Sequence, residues 1–99
     1  METPTIIING KEIEMQKPKA RMWRVVMQFE DVRKNISTTE VVDEYCAIIA
    51  TAFGVTSDEI LDNLNLEDVF PTYMQVLKAV VKNLSDKLAK KNETAEEKI

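Results

Sequence analysis

The chain has 99 residues, 44% of them apolar and 30% charged, with a net charge of −4, two glycines, three prolines, one cysteine and no histidine. That composition describes one globular domain with a modest core, and excludes a turn-rich sandwich or barrel, a disulfide framework, and the clustered positive face that nucleic-acid binding normally requires. No apolar run reaches the ~20 residues of a membrane span, and no basic start followed by a long apolar run marks a signal peptide.

The first element is a hairpin. Thr5 to Met15 reads as two strands around Asn9-Gly10, the pair best suited to a type I′ turn. That turn sets Ile8 opposite Lys11, Ile6 opposite Ile13 and Pro4 opposite Met15, all on one apolar face. A two-stranded ribbon is marginal alone, so this face is expected on helices.

After Lys17-Pro18 a helix is expected from Ala20 to Asn35, with Met22, Val25, Phe29, Val32 and Ile36 as its apolar stripe and Trp23, Val26 and Met27 widening it. Ser37-Thr38-Thr39-Glu40 reads as a capping box that opens a second helix, ended by Gly54. Two neighbouring stripes, Val41-Tyr45-Ile48-Ala52 and Val42-Cys46-Ile49-Phe53, make this the central helix.

Thr56-Ser57-Asp58-Glu59 is a second capping box and opens a short helix with Ile60, Leu61 and Leu64 inward. A turn over Asn65–Phe70 then leads to Pro71 at the start of a last helix, where Leu77, Val81, Leu84 and Leu88 form the stripe, flanked by Tyr73 and Val80. The fold class is therefore mainly α with a short N-terminal β-hairpin, and about four helices packed around one core. Phe29, Ile49, Phe53, Leu77 and Val81 are its expected central layer. The expected division is a hairpin over 1–18, a helical domain over 19–91 and a flexible charged tail over 92–99.

Charge is unevenly placed. No lysine or arginine lies between Lys34 and Lys78, while that stretch carries eight carboxylates; Lys11 to Lys34 holds seven basic and four acidic residues. The split favours contact with a surface of opposite charge, which a second copy of the chain offers. Lys17, Lys19, Arg21 and Arg24 are the basic candidates, and Asp43, Glu44, Asp58 and Asp62 their acidic counterparts, meeting head to tail between copies. The plainer reading of each run is a solvated helix face. Trp23 with Arg21 and Arg24 fits either a core edge or an interface centre, since Trp and Arg are enriched there.

No catalytic, metal or cofactor-binding residues are expected. Without histidine the commonest general base and metal ligand is missing, and no glycine-rich loop follows a strand. Cys46 sits inside an apolar stripe, where it reads as a small hydrophobe rather than a nucleophile. Asp58, Glu59 and Asp62 lack calcium-loop spacing and suit the first turns of a helix.

Residues Ile8 to Arg24 (INGKEIEMQKPKARMWR) and Ala52 to Pro71 (AFGVTSDEILDNLNLEDVFP) resemble two blocks, in the same order, of the tail assembly chaperones of long-tailed phages and prophages. The resemblance spans roughly residues 6 to 80 and contains no catalytic signature. It implies a non-enzymatic protein of the host cell cytoplasm, absent from the mature virion. Such a protein holds the aggregation-prone tape measure protein while the tail tube polymerises, and self-associates into rings or spirals. It also implies a longer product made by programmed frameshifting, through which the tail tube protein becomes a partner; Lys90-Lys91 is the candidate slippage site. The alternative is a small acidic helical regulatory or DNA-binding protein of phage origin. The acidic middle and the absence of a basic recognition helix weigh against it. A structural subunit of the tail is a further reading, separated by whether the chain is found in virions.

Overall fold

In the computed structural model, which describes residues 3–96 and the side chains of residues 3–82, the Asn-Gly turn forms with both residues at positive φ, Asn9 at 52° and Gly10 at 80°. It joins β1 (Thr5–Ile8) to β2 (Lys11–Glu14) in the predicted register, Ile6 opposite Ile13 and Ile8 opposite Lys11. Ile6, Ile8 and Met15 are buried, and Ile7 on the other face is 62% exposed. Two hydrogen bonds fasten the ribbon to the helices. The Gln16 amide donates to the Ala52 carbonyl at 2.9 Å, and the Asn9 amide to the Asn63 side chain at 2.9 Å.

Four α-helices follow among the described residues: α1 (Ala20–Val32), α2 (Thr38–Phe53), α3 (Ser57–Asn63) and α4 (Leu66–Glu96), with a 3-10 turn at Arg33–Asn35 tightening the end of α1. The predicted fold class is the observed one. Helix α2 is central, burying Tyr45, Cys46, Ile48, Ile49, Ala50, Ala52 and Phe53. It ends at Gly54, whose φ of 73° and the bond from its amide back to Ala50 form a left-handed cap.

The two capping boxes differ. At Thr56 both reciprocal bonds form, the Glu59 amide to the Thr56 hydroxyl and the Thr56 amide to the Glu59 carboxylate. At Ser37 one of the two forms: the Glu40 amide reaches the Ser37 hydroxyl, but the Glu40 carboxylate accepts from that hydroxyl instead of the Ser37 amide. The helix end is still capped, since the hydroxyl bond serves one of its free amides.

Three expected facings change. In α1 the buried line is Met22, Val26 and Phe29, while Val25 and Ile36 are half-buried and Val32 is 47% exposed. In α3, Ile60 is fully buried and Leu64 half-buried, but Leu61 lies 100° further round and is 51% exposed. In α4 the inward line is Val69, Tyr73, Val76 and Val80; Leu77 and Val81, expected in the central layer, are only half-buried. Expected central-layer residues Phe29, Ile49 and Phe53 are buried. Leu84 and Leu88, and the slippage candidate Lys90-Lys91, lie outside the described side chains, as does the expected tail.

Helix α4 also starts earlier than Pro71. The Asp68 amide donates to the Asn65 carbonyl at 2.9 Å, and the Asn65 side chain to the Asp68 carboxylate at 3.3 Å, so Leu66 already begins the helix. Glu67 and Asp68 then sit in its first turn, where the helix dipole favours negative charge. Pro71 is inside the helix and lacks the N–H that would bond the Glu67 carbonyl. Glu67 is exposed, so the proline costs one backbone bond at the surface rather than leaving a buried orphan.

Candidate functional site

Helices α1 and α2 run antiparallel. Phe29 meets Tyr45 edge-to-face at 5.4 Å between ring centres, and Met22 and Ala52 share one cleft, so residue pairs summing to about the same number lie side by side. Helix α4 closes one side of this pair. Its Tyr73 is fully buried, stacks edge-on against Phe29 at 5.7 Å, lies 4.5 Å from the Tyr45 ring, and donates to the Glu30 carboxylate. Glu30 pairs with Arg33 at 3.4 Å, and Arg33 reaches the Tyr45 hydroxyl at 3.5 Å. Burial first, then the Glu30 bond, pushes the Tyr73 phenol well above its ordinary range. This polar-aromatic cluster fixes α1, α2 and α4 together. It is structural rather than accessible.

The other side of the α1–α2 pair is an open trough. At one end lies a cleft of about 230 Å³ lined by Met15, Pro18, Met22, Val25 and Ala52, with Lys17, Lys19 and Arg21 at its edge. That volume is below the ~300 Å³ where small-molecule pockets begin and suits a partner's side chain. The trough continues past Val25 to Val32 and Ile36, where Glu40, Asp43 and Glu44 of α2 form its wall. The floor is thus apolar, the α1 N-terminal end basic and the α2 N-terminal end acidic.

The structure brings together five of the nine predicted contact residues on this one face: Lys17, Lys19, Arg21, Asp43 and Glu44. It separates the others. Arg24 is exposed and lines neither end of the trough, and Trp23 is half-buried against the core, on the flank of α1 that carries Met27 and Glu30. Asp58 and Asp62 are exposed on α3, beyond the far end of α2; ten residues of α2 separate Asp43 from Phe53, about 15 Å along the axis. The acidic middle is therefore two patches.

Sequence reasoning missed the trough floor. Val25, Val32 and Ile36 sit at helical spacing and read as core; only the phase of Met22, Val26 and Phe29 shows that they are the leftover edge of the stripe. Glu40 reads from the sequence as a capping residue, and it also walls the trough.

Among the described residues no group of three or more His, Cys, Asp or Glu side chains is placed to hold a metal, and no helix is long and apolar enough to cross a membrane. Cys46 is buried, and burial with the Asp43 charge nearby pushes its thiol up, away from the reactive thiolate.

A family model described as phage tail chaperone protein matches residues 2–98. Comparison with the curated proteins returns no match, and comparison with the solved structures returns none.

Proposed function

Because the chain belongs to the phage tail chaperone family, we propose that it holds the tape measure protein during tail tube polymerisation, self-associates while doing so, and is absent from the mature virion. The family match over nearly the whole chain carries this reading. The trough supports it: an apolar floor with charged ends covers an exposed apolar segment of another chain without requiring that segment to refold. Weak contacts of this kind gain from repetition along an assembly, where avidity multiplies them.

The role asks for no catalysis, and the protein works as a binding surface in the host cell cytoplasm. A longer form, made by slippage near Lys90-Lys91, would link the same N-terminal domain to the tail tube protein. Mass spectrometry of the native gene region is its test, and a single species ending at Ile99 removes it.

The chaperone reading is tested by capture and by exclusion. The purified chain retains full-length tape measure protein on an affinity column, and peptides of the chain are missing from purified virions. Stoichiometric peptides in virions, or no retention of the tape measure protein, contradict it.

A further inference from the structure

We infer that the cleft at the basic end of the α1–α2 trough is an anchor subsite for the client. It takes one large apolar side chain of an amphipathic helix, whose carboxylates lie over Lys17, Lys19 and Arg21 and whose basic residues lie over Glu40, Asp43 and Glu44. The inference rests on the proposed function and names the kind of client segment that the trough accepts.

Backbone hydrogen bonding selects a helix. Inside α1 and α2 the amides and carbonyls bond one another, and the carbonyls that end α2 are taken as well. Ala50 accepts from Gly54 and Val55, Thr51 from Gly54, and Ala52 from Gln16. An extended segment on this floor would find no backbone partner for the groups it buries, whereas a helix satisfies its own. The groove between two packed helices also suits the side-chain ridge of a third. Met22, Val25, Phe29, Val32 and Ile36 line the trough at 3-4-3-4 spacing, so a client stripe of the same spacing lies along them.

Shape and charge narrow the segment further. Met15, Met22, Val25 and Ala52 make the inside of the 230 Å³ cleft apolar, which suits a Leu, Met or Phe side chain. An Asp or Glu within one helical turn of that anchor meets the three cations at the edge. The other end has the opposite sign. Phe29 lies beside Tyr45 and Met22 shares its cleft with Ala52, so Glu44 and Glu40 stand about 14–20 Å from Arg21 along the helix axis. A helix of roughly three to four turns spans both ends. Segments with one sign of charge at both ends are repelled at one of them, so the order of charges discriminates among clients.

Two synthetic peptides of about 16 residues, some 24 Å as helices, test this by fluorescence anisotropy against the full chain. They share composition and a leucine stripe; one carries its glutamates in one end turn and its lysines in the other, and the second interleaves them. The segregated peptide binds about tenfold tighter at low salt, since exposed pairs contribute only a few-fold each, and added salt narrows the gap. That peptide is also the better helix former by itself, so the preference is read against K19E/R21E, where it disappears. Both positions are exposed, and carboxylates in the first turn of α1 suit its dipole. Thr51→Trp, at an exposed position lining the cleft, fills it and weakens both peptides, as does Val25→Glu on the floor with circular dichroism unchanged. Equal binding of the two peptides to wild type, a preference that survives in K19E/R21E, or full affinity in both Thr51→Trp and Val25→Glu overturns the inference. A wild-type dimer dispersed by Val25→Glu, with neither peptide bound, gives the trough to a second copy and overturns it too. Full-length tape measure protein retained equally by wild type, Thr51→Trp and Val25→Glu overturns the subsite and leaves the chaperone reading standing. Segregated-peptide binding without retention of the tape measure protein by wild type supports the subsite and overturns that reading instead.

Discussion

The hydroxyl of Tyr73 on α4 donates a 2.5 Å hydrogen bond to the carboxylate of Glu30 on α1, joining two helices whose residues are 43 positions apart. The phenol is fully buried and the acceptor is charged, which makes this one of the stronger bonds a small domain has. Tyr73→Phe removes it and leaves Glu30 with Arg33. A hydrogen bond to a charged group contributes about 1.5–3 kcal/mol, and residual hydration of the carboxylate lowers the expected loss to about 1–2 kcal/mol. Urea unfolding of Tyr73→Phe against wild type measures it.

Alkaline stability follows from the same residue. Burial and the Glu30 bond raise the Tyr73 phenol above its ordinary 10.0, and burial raises the Cys46 thiol above its ordinary 9.0. Both groups hold their protons more tightly folded than unfolded. Their contribution is complete below the ordinary values and is lost as pH rises through the raised ones. Unfolding free energy from these groups is therefore level to about pH 9 and falls beyond it. The fall beyond pH 10 is shallower in Tyr73→Phe, read from urea curves at stepped pH.

The phase of α4 is decided by comparing two truncations. Phe53 is 2% exposed, and Phe53→Ala costs about 3–5 kcal/mol through lost burial and the cavity left behind. Leu77 is only half-buried, so Leu77→Ala costs distinctly less than the about 2–5 kcal/mol of a core leucine. Equal melting losses for the two would place Leu77 on the inward line and contradict the observed phase.

Much of this architecture was legible in the residues. Asn9-Gly10, Gly54 and the Thr56–Glu59 box each demand a particular backbone state, and those states form. Periodicity alone was less informative where a helix carries two adjacent apolar stripes. Val69-Tyr73-Val76-Val80 and Leu77-Val81 both repeat at helical spacing, and only the neighbours α1 and α2 choose between them. The same ambiguity hid Val25 and Val32 as trough floor. The charge split was visible as a run in sequence. That half of it collects at two ends of one face, while Asp58 and Asp62 lie beyond the far end of α2, is tertiary information.

Gly54 lies against the Gln16 side chain at the exit of the hairpin. Its φ is 73°, and a Cβ there would collide with the Gln16 side-chain amide. Gln16 in turn donates its backbone amide to Ala52 at 2.9 Å. Gly54→Ala therefore adds left-handed strain of about 1 kcal/mol or more, while the exposed Gln16 side chain swings aside. Hydrogen exchange shows the effect as faster exchange at the Gly54 and Val55 amides, which bond back to α2, with the middle of α2 little changed.

The central claim is that this chain keeps its client in solution. The direct measurement is co-expression of the tape measure protein with and without the chain, followed by the fraction of tape measure protein left in the supernatant after high-speed centrifugation. The account predicts that the tape measure protein pellets alone, stays in the supernatant with the wild-type chain, and co-migrates with it in size-exclusion chromatography. A soluble fraction that is the same with and without the chain would contradict it.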